Sequence, residues 1–316
     1  MRWARILREL GHDVQVDHRY DGRAADLMIA LHAWRSADSI RDFRERYPER
    51  PLVVALSGTD IYEYIDRDPA PTLHSLACAD RLVALQELAR RRVPATFRQK
   101  VQVVYQSARQ IVESSAARTR GFDVAVIGHL RHVKDPLRAA KAARRLPATS
   151  RVRIVHLGAA ETPRWTAMAK AEMKVNPRYV WRGDRPAADV RRLLGRVRAM
   201  VLSSLSEGGA NVISEAVAAG VPILASRIDG SVGLLGRSYP GYFPVGDTAA
   251  LARLLHRIET DPEFLARLRR EIAHRAQLFR PAREKAAWKQ LLREIMLKSR
   301  ATTRSRHGRR KVGKLS

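Results

Sequence analysis

The stretch Ser203-Ser-Leu-Ser-Glu-Gly-Gly-Ala-Asn-Val-Ile-Ser-Glu215 carries most of what this chain says about its fold. The apolar run Ala199–Ser203 ends in serines, a glycine-rich loop follows, and a helix opens near Asn211. Strand, loop and helix in that order make half of a βαβ unit. Asn211 suits the N-cap, and the free N–H groups of the first turn, with the helix dipole, form a site for an anion. Gly208 and Gly209 let backbone approach a ligand closely, beside Ala210. Glu207 and Glu215 flank this device with seven residues between them. On a helical wheel Val212, Ile213, Ala216 and Val217 form the buried stripe, which leaves Glu215 at its edge. A carboxylate there can accept two hydrogen bonds from a vicinal diol such as that of ribose, and Glu207 can do the same for sugar hydroxyls. Equally, Glu207 can cap the turn and Glu215 can be a solvated helix residue.

The same alternation extends in both directions. Before this stretch, strands are predicted at Asp123–Ile127, Arg153–Leu157 and Tyr179–Arg182, with helices at Pro136–Arg145, Pro163–Lys174 and Ala187–Leu194. After it come a helix at Val212–Ala219, a strand at Pro222–Ala225, and helices at Thr248–Ile258, Pro262–Leu278 and Pro281–Met296. The first part of the chain repeats the pattern. It has strands at Val14–Val16, Asp26–His32, Pro51–Ser57, Arg81–Gln86 and Val101–Tyr105, and an Arg-rich helix at Ser36–Tyr47. Near-continuous apolar strands of this kind belong to parallel sheets covered on both faces. Ser107–Arg120 has no strong apolar pattern and reads as a boundary. The expected organisation is therefore α/β, with two Rossmann-like domains facing across a cleft, at 1–112 and 113–280. A helix at 281–297 would return to the first domain, and a disordered basic tail would occupy 298–316. Ligands of such sheets bind beyond the carboxyl ends of the strands.

Composition bounds the chemistry. The chain has 316 residues, 45% of them hydrophobic and 29% charged, an ordinary globular balance. No apolar run approaches the roughly 18 residues of a membrane span. Arg2, Arg5, Arg8 and Glu9 interrupt any apolar leader. The single cysteine, Cys78, excludes an internal disulfide and a cysteine-based zinc site, and no spacing of ligands suggests a metal. A soluble, cytoplasmic protein is expected. The net charge of +27 points to an anionic partner. Part of the excess is local, because Lys298, Arg300, Arg304, Arg306, Arg309, Arg310, Lys311 and Lys314 meet no acid in the last 19 residues.

Two further segments carry candidate chemistry. In Val126-Ile-Gly-His-Leu-Arg-His-Val-Lys-Asp-Pro136, Gly128 ends a strand, and Arg131 and Lys134 place two cations where a diphosphate could be gripped. Pro136 then suits the first position of the next helix. His129 and His132 read as ordinary hydrogen-bonding residues, and the two cations can equally be exposed members of a basic chain. In Leu56-Ser-Gly-Thr-Asp-Ile-Tyr62, Gly58 opens the backbone, while Thr59 and Asp60 either cap the next helix or face a ligand.

Together the Glu207 to Glu215 spacing, Glu215-Ala-Val-Ala-Ala-Gly-Val-Pro222, the Gly128…Arg131…Lys134 turn and Phe243-Pro-Val-Gly-Asp247 resemble the family-four nucleotide-sugar glycosyltransferases of GT-B fold. The likeness covers Asp13 to about Leu292. More narrowly, six segments are similar to the selenosugar synthases of selenoneine biosynthesis. They are Ala30-Leu-His-Ala-x-Arg-Ser36, Leu56-Ser-Gly-Thr-Asp60, Val104-Tyr-Gln-Ser107, Gly128-His-Leu-Arg131, Glu207-Gly-Gly-Ala-Asn211 and Gly233-Leu-Leu-Gly236. The resemblance implies transfer of a hexose or N-acetylhexosamine from UDP-GlcNAc or UDP-glucose to selenophosphate, with no metal and no cofactor. It implies that Glu215 holds the UDP ribose, and that Glu207 with the Gly208–Asn211 backbone holds the sugar and β-phosphate. Arg131 and Lys134 would neutralise the leaving diphosphate, and Gly58, Thr59 and Asp60 would lie on the acceptor side. Many members of the wider family carry Arg directly after the glycine, where this chain has His129, and Arg131 is the candidate replacement.

The family also carries a strand and glycine-rich loop before the helix matching Trp3–Leu10, so roughly 20 residues are expected to precede Met1 in a complete first domain. Competing expectations are a family-four enzyme with a lipid or polysaccharide alcohol as acceptor, and a basic nucleic-acid-binding protein without catalysis. Against the second, no aromatic-interleaved basic patch is present.

Overall fold

The computed structural model describes residues 2–110 and 121–312, the side chains of 298–312 excepted. Positions 111–120 of the expected boundary and the last four residues of the expected tail lie outside the described residues. The chain divides into two units, Met1–Tyr105 with Ala282–Ser316, and Gln106–Pro281.

The first unit is built on a parallel sheet of order β1-β2-β3-β4, comprising β1 (Met28–Leu31), β2 (Leu52–Ala55), β3 (Arg81–Ala84) and β4 (Val101–Val103). Its alternation decides the packing. Leu52 and Val54 of β2 join Ile40, Phe43, Leu76 and Leu82 on one face. Val53 and Ala55 join Ile6, Leu7, Trp288, Leu291 and Ile295 on the other. A strand with both faces covered reads as an unbroken apolar run. Trp288 is fully buried and meets Trp3 edge-on, with ring centroids 4.8 Å apart. The Trp3 indole N–H donates to Glu284 Oε1 at 2.8 Å.

The second unit is a six-stranded, all-parallel sheet of order β10-β9-β8-β5-β6-β7. Its strands are β5 (Phe122–Ile127), β6 (Val152–Leu157), β7 (Tyr179–Trp181), β8 (Ala199–Leu202), β9 (Ile223–Ser226) and β10 (Tyr242–Phe243). β5 pairs with β6 on one side (Phe122 with Val152) and with β8 on the other (Val124 with Ala199). The chain thus runs outward from β5 through β6 and β7, then returns to start β8 beside it. That reversal is a topological switch point, where loops diverge and leave room for a ligand at the carboxyl edge.

Several expected elements differ. Val14–Val16 is not a strand; three residues between Asp13 and Asp17 bury too little, Val16 is half exposed, and the Val14 carbonyl accepts from the Arg8 guanidinium instead. The helix after β5 starts at Arg138 rather than Pro136, because His132–Lys134 forms a short 3-10 turn that ends at a left-handed Asp135 (φ 42°). The last helix runs Pro281–Val312, past the point where the disordered tail was expected to begin. Residues 298–312 contain no proline, and Arg and Lys extend a helix that is already nucleated. No helix among the described residues is long and apolar enough to cross a membrane.

Candidate active site

Two loops leave the switch point of the second unit, Gly128–Lys134 after β5 and Ser203–Ala210 after β8. Serine hydroxyls tie them together. Ser203 Oγ donates to the Asp135 carbonyl at 2.9 Å, and the Leu205 N–H donates to the Val133 carbonyl at 2.8 Å. Ser226, ending β9, donates to the Ser204 carbonyl at 2.5 Å. The loops after the three neighbouring strands β5, β8 and β9 are therefore one hydrogen-bonded body at the sheet edge.

On that body Lys134 Nζ pairs with Glu207 Oε1, which also accepts from Ser204 Oγ at 2.6 Å. The two side chains are 19% and 11% exposed, so this pair, unlike a surface one, is held in a partly dry setting. Sequence positions 73 residues apart thus meet, and Glu207 serves as an anchored ion-pair partner rather than a free turn cap. Behind Glu207 stands Gly230, where a Cβ would lie 2.3 Å from the Glu207 carbonyl oxygen and 2.7 Å from its Cβ. Only glycine allows that approach.

The loop after β5 is braced from below. His156 is fully buried on β6. The carbonyl of Gly128 can only accept, so Nε2 of His156 carries the proton and donates to it at 3.0 Å, while Nδ1 accepts from the Tyr179 hydroxyl at 3.0 Å. Burial pushes His156 down to about 4 and the Tyr179 phenol up. Gly158 crosses the same loop so closely that a Cβ would sit 1.9 Å from the Gly128 oxygen. Open space lies around the position a Cβ of Gly128 itself would take, as the approach of a ligand requires.

The helix following the β8 loop is Asn211–Ala218, with Ala210 at the cap position and no side chain capping it. Asn211 is therefore not the N-cap; it is the first helical residue, and its Nδ2 donates to Glu215 Oε1 at 2.7 Å, one turn on. Gly208 and Gly209 are not among the residues of positive φ. Buried residues of this helix are Ile213, Ser214, Ala216 and Val217, and Glu215 is half-buried at the edge of that stripe.

Among the described residues, five buried side-chain polar atoms lack a hydrogen-bond partner. The three in the second unit are Arg131 Nε, Ser206 Oγ and Ser231 Oγ, and they lie on the loops or first turn after β5, β8 and β9 respectively. Native proteins leave few such atoms unpaired, so the three segments that leave this edge of the sheet each carry an unusual side chain. Gly230 and Ser231 escaped the sequence reading. Their signal was Asp229-Gly-Ser231 after the strand Ile223–Ser226, which parallels Glu207-Gly-Gly209 after β8.

In the first unit Asp60 is fully buried and its carboxylate accepts four backbone N–H groups, from Ala33 (3.0 Å), Ser57 (3.1 Å), Gly58 (2.7 Å) and Ile61 (3.1 Å). It therefore shapes the two loops after β1 and β2, and of the two expected roles, holding local backbone or facing a ligand, these bonds serve the first. Gly58 sits at φ 131° inside this knot, and Thr59 is half-buried beside it. Among the described residues no group of three His, Cys, Asp or Glu side chains is arranged to hold a metal ion.

The family model "Glycosyl transferases group 1" matches residues 107–275, more than half of the chain. The chain belongs to this glycosyltransferase family. Solved structures agree with the fold. HepE of Anabaena, crystallised in complex with UDP and glucose, is 17% identical with a TM-score of 0.73, covering 85% of this chain and 78% of its own. Sucrose-phosphate synthase from Thermosynechococcus elongatus is 18% identical with a TM-score of 0.71, covering 86% and 74%. The α,α-trehalose 6-phosphate synthase from Burkholderia multivorans is 14% identical with a TM-score of 0.73, covering 89% and 73%. These neighbours place the glycosyltransferase in the GT-B fold, with two Rossmann-like domains. No curated protein sequence matches the chain.

Proposed function

We propose that this glycosyltransferase moves a hexose or N-acetylhexosamine from a UDP-sugar, UDP-GlcNAc or UDP-glucose, to selenophosphate, as in selenoneine biosynthesis. The observation that carries the donor half is the Lys134–Glu207 pair at the switch point, with Arg131 Nε, Ser206 Oγ and Ser231 Oγ left unpaired on the segments that follow β5, β8 and β9. These are unsatisfied donors in a protein of this family. HepE's complexes with UDP and with UDP-glucose support the choice of nucleotide. In this reading Glu215 takes the ribose diol. Glu207 orients the donor sugar, and Arg131 and Lys134 stabilise the charge on the departing diphosphate, an electrostatic term of the kind that usually dominates such reactions. Fixed cations supply what a metal would otherwise provide, so no metal or cofactor is needed.

The acceptor half rests on the motifs shared with selenosugar synthases, Ala30–Ser36 and Leu56–Asp60 above all. Selenium attacks the anomeric carbon and forms the carbon–selenium bond; the anomeric carbon–oxygen bond breaks, and UDP leaves with its electron pair. The phosphoryl group stays on selenium. An ionised, polarisable nucleophile needs no strong base. The reaction is assigned to the cytoplasm, a reducing compartment that suits a chain with one cysteine. The test is mass spectrometry of the purified chain incubated with each UDP-sugar and selenophosphate. A selenium-containing sugar together with UDP is expected; transfer to alcohol acceptors with none to selenophosphate would contradict the reading.

A further inference from the structure

His32 follows β1 in a left-handed conformation, φ 74°, that a residue with a Cβ rarely adopts. Every peptide group around it is tied down. Its own N–H donates to the Ala55 carbonyl at 2.8 Å, and its carbonyl accepts from the Ser36 N–H at 3.0 Å. The next N–H, of Ala33, is held by buried Asp60 at 3.0 Å, and the Ala33 carbonyl by the Ser75 hydroxyl at 2.6 Å. Strain that the surroundings over-determine in this way tends to mark a functional position. A single π-helical turn, Asp60–Tyr64, sits on the neighbouring loop, a second local irregularity of the kind found at working sites.

The conformation brings His32 Nε2 to 2.9 Å from Thr59 Oγ1. The Arg35 N–H donates to Nδ1 at 3.2 Å, so the ring proton of the neutral imidazole lies on Nε2 and is donated to Thr59. Burial lowers the His32 pKa, exposed Arg35 lowers it further, and Asp60 only partly opposes this, so the ring stays neutral. The ring edge meets Tyr64, on which Trp34 stacks at 4.2 Å. Thr59 occupies the cap position of the π-turn but makes no side-chain cap. Its hydroxyl accepts from His32 and keeps its own proton for something else. The chain of donors runs in one direction, from the Arg35 N–H to His32 to the half-buried Thr59.

We propose that His32 and Thr59 form a proton-donor relay that recognises an oxyanion of the acceptor, with Thr59 Oγ–H donating to a phosphoryl oxygen. This inference rests on the proposed function and sharpens it. A relay that already donates is unsuited to take a proton from an alcohol, whereas it matches a nucleophile that arrives ionised and carries anionic oxygens. His32 is then a positioning residue, acting through Thr59.

The test titrates inorganic phosphate onto the full chain by calorimetry with UDP present at saturation, so that the diphosphate site is already filled. Thr59→Val and His32→Gly are expected to weaken phosphate binding at least tenfold, while Thr59→Ser, which keeps the hydroxyl, recovers it. His32→Gly relieves φ 74° but removes a buried ring, so thermal melting of each variant separates lost recognition from lost folding, and Thr59→Val, which keeps the ring, is read beside it. With selenophosphate as acceptor, the same two variants should raise KM rather than lower kcat. Phosphate binding unchanged in both Thr59→Val and His32→Gly would overturn the relay even if the wild type makes selenosugar. A wild type that binds phosphate through Thr59 yet makes no selenosugar would support the relay and overturn the proposed acceptor.

Discussion

At the scale of single residues, the two carboxylates of the β8 loop and its helix have different surroundings and so different expected phenotypes. Glu215 is bonded within its own helix by Asn211, at the edge of the buried stripe, and is the residue proposed to take the ribose diol. Glu215→Gln should weaken UDP affinity about ten- to a hundredfold, since charge-assisted hydrogen bonds contribute about 1.5–3 kcal/mol and an amide cannot accept both hydroxyl protons. Glu207→Gln should spare UDP affinity and lower turnover with the intact donor. Equal UDP affinity of the wild type and Glu215→Gln, read by calorimetry, would remove the ribose role. Gly230 makes a sharper test of placement. Its missing Cβ leaves space that the Glu207 backbone fills. Gly230→Ala must therefore shift Glu207 and its pair with Lys134, and a displacement of about 1 Å costs on the order of a hundredfold in turnover. Unaltered kcat in that variant would mean that Glu207 has no exacting geometry to protect.

Among the elements, β6 carries the most readable pH dependence. His156 is held neutral, with a folded value of about 4 against an ordinary 6.5. Between those values the unfolded chain binds a proton that the folded chain refuses. Stability is therefore full above about 6.5 and falls as pH drops toward about 4, by about 3 kcal/mol if this group acts alone. His32, also lowered by burial, acts with the same sign. Thermal denaturation from pH 7 to pH 4.5 should show the fall, and His156→Gln should flatten part of it. An identical pH slope in the variant would show that the buried ring is not its source. The elements also show what sequence reveals and hides. Five strands of the second unit, β5 to β9, were legible because burial on both faces writes largely apolar runs, and the helix Ala187–Leu194 by its 3.6 period, whereas the two-residue β10 is too short to write any pattern. Val14–Val16 has the residue types of a strand without a partner, and pairing is a tertiary fact. Asn211 has the right chemistry for a cap but bonds along its helix to Glu215 instead. The π-turn at Asp60–Tyr64 and the left-handed His32 follow from the knot around buried Asp60, which no local pattern discloses.

For the whole molecule, the sequence conveyed the α/β class and the Gly128, Lys134 and Glu207 constellation, because these residues lie at strand ends that the βαβ rule brings to one edge. It did not convey that Lys134 and Glu207 are bonded to each other, nor that Gly158 and Gly230 make room for that edge, since both are contacts between distant segments. The central claim is that the loops after β5, β8 and β9 form a site for a nucleoside diphosphate whose positive charge comes from the protein. Calorimetric titration of UDP onto the full chain in the presence of EDTA tests it most directly. The account predicts one UDP bound per chain, with affinity unchanged by the chelator and falling as salt is raised. Loss of binding on adding EDTA, or no UDP binding with or without it, would contradict the account.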